Sequence, residues 1–222
     1  MLLAVDTSTA QTGLALYDGS QVLAEVMWQS RQHHTVELAP AFTELLQRAE
    51  VKVSDIQALG VAIGPGSFTS LRVGLSFVKG LALACKLPVI GIPSLDILAA
   101  AQPIVKMPLV AILQAGRTRI ALGWYKVGQN QWKSEGDIKI STVDALADSI
   151  DRPTWVAGEL TPEERERLTR KKINVHVALP SRCMRRPAVL AELAWMRWRS
   201  GKVDEAASLA PIYLHTTESI QA

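Results

Sequence analysis

The chain has 222 residues, of which 48% are hydrophobic and 20% charged, and a formal net charge of +3. That balance excludes a disordered chain, a collagen-like fibre and a disulfide-dense scaffold, and the length fits one large domain or two small ones. A pI near 8.9 permits contact with nucleic acid without arguing for it.

Two cysteines, Cys85 and Cys183, have no metal or redox spacing and fit a reducing compartment. Met1 leads directly into the apolar run LLAVD, with no basic segment and no long apolar stretch at that end. The expectation is a cytoplasmic chain that does not enter a membrane.

The pattern predicts a strand over Leu2–Val5 that ends at Asp6-Thr7-Ser8. A second strand follows over Thr12–Tyr17, a hairpin turn at Asp18-Gly19 and a third strand over Gln21–Trp28. A strand, a polar turn opening with Asp and a glycine-containing second strand resemble the start of the actin-like, sugar-kinase and Hsp70 ATPase fold. In that fold the first turn wraps phosphates and its Asp organises a metal. Asp6, Thr7 and Ser8 hold those places here, as candidate phosphate-binding residues.

His33-His34-Thr35 precedes a helix expected to run to about Glu50, with Val36, Leu38, Ala41, Phe42, Leu45, Leu46 and Ala49 on its apolar face. Pro40 falls in its first turns. The paired histidines point in different directions, no H-x-x-x-H spacing exists, and His176 and His215 are isolated, so no metal site is expected.

The stretch GVAIGPGSFTSLRVGLSFVKGLALAC is the most informative in the chain. A buried strand over Ala58–Ile63 ends in Gly64-Pro65-Gly66, and Ser67 is placed to cap a long helix. No lysine follows as in a Walker A loop, the third glycine of a dinucleotide fingerprint is missing, and there is no G-x-S-x-G elbow. Two readings stay open. One is a tight turn with an N-cap; the other is phosphate contact from Gly66, Ser67 and Thr69.

In the helix itself, Leu71, Leu75, Val78, Ala82 and Cys85 form one stripe, and Ser70, Gly74, Phe77, Leu81 and Ala84 form a second beside it. A helix apolar on two sides lies deep in one domain or meets another subunit, and the small Ser70 and Gly74 would admit a close helix. Alone, such a chain would hide that face by homodimerising.

A strand over Val89–Ile92 and a helix over Pro93–Ala101 imply a crossover and a mixed or parallel sheet. From Met107 the α/β theme repeats in reduced form. Strands are expected over Leu109–Gln114, Arg119–Val127, Ile138–Ser141, Trp155–Ala157 and Ile173–Val177. Helices are expected after Thr142, from Thr161-Pro162 and over Pro187–Arg199. A boundary near Pro103 gives subdomains 1–102 and 103–222. Arg182, Arg185, Arg186, Arg197, Arg199 and Lys202 gather towards the end, either as solvated flanks or as contacts to an RNA backbone.

VDTSTAQTGLALYDG, GPGSFTSLRVGLSFVKGLA and IPSLDILA together resemble the bacterial TsaB (YeaZ) family of tRNA threonylcarbamoyladenosine biosynthesis proteins. The glycine motif is close to that family's GPGSFTGLRIG. The likeness is strong over the first hundred residues and weak beyond, with Pro211-Ile212-Tyr213-Leu214 resembling the closing segment.

The resemblance implies an α/β protein of the actin-like ATPase fold, with two subdomains, mixed sheets and a reduced C-terminal half. It implies no catalytic residues, metal or cofactor, but a platform for a paralogous catalytic subunit, TsaD, joined by a small ATPase, TsaE. TsaD transfers a threonylcarbamoyl group to adenosine 37 of tRNAs reading codons that begin with A, and a tRNA contact falls within that complex. The partner-facing residues would be Leu38 and Phe42 on one helix and Ser70, Val73, Gly74, Phe77 and Leu81 on the other.

Two departures stand out: Gln114-Ala115-Gly116-Arg117 where many members have Asp-Ala-Arg, and Ser70 in place of glycine. The competing reading is an autonomous nucleotide-dependent phosphotransferase built on Asp6 and the Gly64–Thr69 turn. A glycopeptidase-like hydrolase would need metal histidines or a Ser/His/Asp constellation that the sequence does not supply.

Overall fold

A computed structural model describes residues 1–30, 33–116, 118–171 and 173–213. Arg117, Leu214 and His215, named above, lie outside the described residues. The chain divides into two units, one of residues 1–97 with 185–212 and the other of residues 98–184 with 213–222.

The first unit holds a five-stranded sheet of β1 (Leu2–Asp6), β2 (Gln11–Tyr17), β3 (Val22–Gln29), β4 (Ala58–Ala62) and β5 (Val89–Ile92). Its order is β3-β2-β1-β4-β5, antiparallel across β3, β2 and β1 and parallel across β1, β4 and β5. Alternate residues of a strand face opposite sides. Leu3, Val5, Leu14, Leu16, Leu59 and Val61 pack on one side beneath α1 (His34–Arg48) and α2 (Phe68–Cys85). Leu2, Ala4, Ala15, Ala58 and Ala62 face the other side. β1 is therefore buried on both faces, which is why it reads as a continuous apolar run.

Helix α2 begins at its cap: the Ser67 hydroxyl accepts from the Ser70 hydroxyl at 3.0 Å and from the Ser70 N–H at 3.5 Å. Its buried stripe is Ser70, Leu71, Gly74, Leu75, Val78 and Ala82, whereas Cys85 is exposed. By length and composition α2 could cross a membrane, but that stripe lies on the sheet and only a third of the helix is buried. Pro40 sits inside α1 without ending it. The short α3 (Ser94–Ala100) follows β5.

The second unit repeats the topology with β6 (Leu109–Gln114), β7 (Ile120–Gly128), β8 (Gln131–Ser141), β9 (Thr154–Gly158) and β10 (Val175–Val177). Its order, β10-β9-β6-β7-β8, is that of the first sheet strand for strand. The covering helices are shorter, seven residues in α4 (Val143–Ser149) and ten in α5 (Pro162–Lys171), against 15 and 18 in α1 and α2. They bury Leu146 and Leu168 against Val110, Ile112, Ile120, Leu122 and Val156. This is the reduced half.

The strand expected over Ile138–Ser141 is the end of a longer one. β8 runs 11 residues, is mostly exposed, and is turned from β7 by Gln129 and Asn130, both at positive φ (54° and 59°).

Helix α6 (Pro187–Arg199) returns to the first unit. Leu190, Ala191 and Ala194 cover the sheet face of Leu2, Ala4 and Ala58. Glycines let it approach: a Cβ on Gly13 would stand 2.3 Å from Pro187 Cγ, and one on Gly60 2.8 Å from Ala194 Cβ. A single division between residues 102 and 103 therefore fails as a description of the packing. The second face of the first sheet would be bare without a stripe from near the C-terminus.

Candidate functional site

The turn after β1 and the turn after β4 meet. Ser8 donates its N–H to Asp6 Oδ1 at 2.8 Å, and its carbonyl accepts from the Ser67 N–H at 2.7 Å. The Ser8 hydroxyl lies 2.6 Å from that of Ser94, whose oxygen also accepts from the Gly64 N–H at 3.1 Å. Thr7 Oγ1 donates to the Ser70 carbonyl at 2.7 Å. A Cβ on Gly66 would come within 2.1 Å of the Ser8 carbonyl oxygen, so only glycine lets the two turns touch. Gly64 sits at φ 100°, and its peptide to Pro65 is cis.

Asp6 does not face an open space. Its Oδ2 accepts from Arg185 Nε at 2.9 Å, with Asp6 2% and Arg185 1% exposed. The same guanidinium donates to Thr9 Oγ1 at 2.8 Å and to the Gln11 carbonyl at 3.2 Å, and Gln11 Oε1 accepts from the Arg185 N–H at 3.2 Å. The structure thus brings Asp6, Thr7, Ser8, Gly66 and Ser67 together, as the sequence predicts. It joins them to one another and to Arg185.

Arg185 was not singled out as Asp6's partner by sequence. The two residues are 179 positions apart, and Arg185 reads there as one of a basic run. The run itself disperses. Arg186 pairs with Glu25, whose hydrogen bonds hold its guanidinium proton more tightly than usual. Arg197 donates to the Gly91 carbonyl and to Asp204 Oδ1, the latter at 3.2 Å. Three of the six cations are thus engaged within the first unit.

Gln114 ends β6 as Asp6 ends β1. Its Nε2 donates to the Glu159 carbonyl at 3.0 Å and to Glu164 Oε2 at 2.7 Å. Glu164 in turn accepts from the Thr161 N–H and donates its own N–H to Thr161 Oγ1, the reciprocal cap of α5. This second strand end is closed in the same way as the first.

An open feature of the first unit lies between α1 and α2. A groove of about 450 Å3 is lined by Thr35, Leu38, Ala39, Phe68, Thr69, Arg72, Val73, Ser76 and Phe77. Leu38 is its buried floor, and Phe68 stands 51% exposed at its end with the Arg72 guanidinium 3.7 Å above its ring. Phe77 meets Phe42 edge-on, with centroids 5.5 Å apart.

The seven helix residues named as partner-facing therefore separate. Val73, Phe77 and Leu81 are half-buried, and the first two line the groove. Phe42, Ser70 and Gly74 are buried within the unit. A Cβ on Gly74 would lie 2.2 Å from Thr7 Oγ1, so the small residues of α2 admit the Asp6 turn and not a foreign helix. At the mouth of α1, hydrogen bonds from the Ser30 hydroxyl and the Trp28 indole hold the Glu37 carboxyl below its ordinary range. His34 packs inward within 3.2 Å of the Thr9 carbonyl, and no metal-ligating cluster occurs among the described residues.

Two mixed sheets of one strand order, each beginning with a hairpin and a crossover, define an actin-like ATPase fold. A ROK hexokinase from Thermus thermophilus shares that fold with a TM-score of 0.51 at 11% identity, over 90% of this chain and 99% of that one. A family model described as TsaD, tRNA N6-adenosine threonylcarbamoyltransferase, matches residues 21–195. The tRNA threonylcarbamoyladenosine biosynthesis protein TsaB of Bacillus subtilis is 27% identical over 98% of this chain and 95% of its own length. TsaB of Escherichia coli is 37% identical over 44% of this chain and 42% of its own. The solved structure of YeaZ from Pseudomonas aeruginosa superposes with a TM-score of 0.79 at 26% identity, covering 96% and 99% of the two chains. The chain belongs to the TsaD family and, within it, to the TsaB (YeaZ) group.

Proposed function

We propose that this chain takes part in tRNA threonylcarbamoyladenosine biosynthesis as a non-catalytic platform. In this reading it binds and activates a TsaD-like catalytic paralogue, which threonylcarbamoylates adenosine 37 in tRNAs reading codons that begin with A. The observation that carries the reading is the apolar groove between α1 and α2, which leaves Val73, Phe77 and Phe68 for a partner to cover. The closed Asp6 turn supports the non-catalytic part, because its carboxylate and hydroxyls are engaged within the chain.

The complex would include a TsaE-like small ATPase and work in the cytoplasm, and the chain alone would pair through the same groove. An autonomous nucleotide-dependent phosphotransferase gains no support from this geometry, since Asp6 would have to release Arg185 before it could organise a metal. The test is reconstitution of tRNA modification with the organism's TsaD-like protein, donor and TsaE-like ATPase, with and without this chain. Modification that depends on the chain is expected; normal modification in its absence would overturn the platform role.

A further inference from the structure

The second unit carries a depression of about 360 Å3 at one end of its sheet. Met107 and Lys106 lead into β6, Arg152 leads into β9, Lys126 and Val127 lie near the end of β7, and Glu135 stands on β8. This is the end where the parallel strands begin. Gln114 and Glu159 mark the opposite end, the carboxyl end at which open α/β sheets place nucleotides. The depression is therefore separate from the closed turns described above.

Its lining sets three cations and one carboxylate beside the apolar Met107, Pro108 and Val127. Lys126 Nζ lies 3.0 Å from Glu135 Oε1, an exposed pair of little stabilising value. Lys106 and Arg152 are exposed and have no carboxylate within ion-pair distance among the described residues. The loop that carries Arg152 is fixed: Thr154 Oγ1 donates to the Arg152 carbonyl at 2.9 Å, and Asn174 Nδ2 to the Asp151 carbonyl at 3.2 Å. Two cations without internal partners thus line the depression together with Met107 and Val127.

We propose that this depression binds the backbone of tRNA, with Lys106 and Arg152 holding a phosphate and the sugar lying over Met107 and Val127. The inference rests on the platform reading above, which supplies the RNA. A sugar–phosphate unit presents a charged edge beside a less polar face, the complement of a lining that joins unpaired cations to apolar side chains. Contacts of this kind position an RNA without reading its bases, as a subunit serving several tRNAs requires.

The test is fluorescence anisotropy of labelled tRNA across a salt series, with the full chain alone and with its TsaD-like partner. The variant carrying Lys106→Glu and Arg152→Glu is expected to bind tRNA at least about tenfold more weakly. The slope of log K against log salt should fall by about 0.9, one phosphate contact's worth. Lys106→Ala with Arg152→Ala removes charge without reversing it and guards against a misfolded variant; an unchanged melting curve with the same loss of slope supports the proposal. Unchanged affinity and slope would overturn it, as would a variant that loses an acidic protein partner while tRNA binding stays intact. Pull-down of the TsaD-like partner separates the two readings. A wild-type chain that fails to hold the partner defeats the platform, whereas retained partner binding with undiminished tRNA affinity in the double variant defeats this inference alone.

Discussion

Arg185 Nε donates to Asp6 Oδ2 across 2.9 Å, in a site where neither side chain reaches solvent. The pair joins the first turn of the chain to the segment that launches α6, so a residue that would organise a metal in a phosphotransferase instead fixes the C-terminal helix of the first unit. A buried ion pair is weak evidence for net stability, but breaking one strands a charge.

Removing either partner should therefore be severe. Arg185→Ala or Asp6→Ala is expected to cost about 3–5 kcal/mol in urea unfolding. Arg185→Met with Asp6→Leu should recover most of that loss, because no charge is left buried and unpaired. Equal, small effects of the two single changes would show that the pair does not hold the turn.

Gly74 tests which way the small residues of α2 face. Its hydrogen points at Thr7 Oγ1, with 2.2 Å available to a Cβ. Gly74→Ala is expected to destabilise by about 1–2 kcal/mol, the overpacking outweighing the better helix propensity. Gly74→Glu should lose the circular-dichroism signature of the fold. A folded Gly74→Glu chain that merely stops pairing would put Gly74 on an interface after all.

How much of this could be read from the residues follows from distance along the chain. The strand–turn–helix order and the Ser67 cap are local, and their signals lie within a few residues of the structure they produce. The repeated sheet was legible as a repeated α/β theme, and the reduced half as shorter helices. The Asp6–Arg185 pair and the return of α6 to the first sheet were not legible, because long-range partners leave no periodicity. The first part of β8, before Ile138, was missed for another reason: an exposed edge strand needs no apolar alternation, and Lys133 to Asp137 supply none. Of the two apolar stripes expected on α2, the first lies on the sheet except for the exposed Cys85, and the second is buried at Ser70 and Gly74, half-buried at Phe77 and Leu81 and exposed at Ala84. Which small residues faced inward depended on Thr7, which no spacing rule names.

The hairpin between β2 and β3 gives a pH dependence. Asp18 accepts from the backbone N–H groups of Gln21 and Ser20 at 2.8 and 2.7 Å, and these bonds, Gln21's first, lower its pKa from 3.8 to about 2. A carboxyl lowered on folding contributes stability above its unfolded pKa and loses it as protons bind the folded form. The contribution should be whole above about pH 4 and gone near pH 2. Carboxyl NMR shifts should show Asp18 titrating near 2, and Asp18→Ala should flatten the stability profile between those limits. Titration at the ordinary aspartate value would contradict the assignment.

The central claim is that the groove between α1 and α2 is the working surface, and the most direct measurement changes residues on its wall. Ser76 is exposed and Val73 half-buried on its wall. Ser76→Glu and Val73→Glu place a charge where an apolar partner face would sit; Ser76→Glu should leave the melting temperature within a few degrees of wild type, and Val73→Glu should lower it further because Val73 packs against the core. The measurement is pull-down of the organism's TsaD-like protein by wild-type and variant chains, followed by tRNA modification on the same mixtures. The account predicts that binding and modification fall together in both variants. Full modification by variants that no longer bind would contradict it.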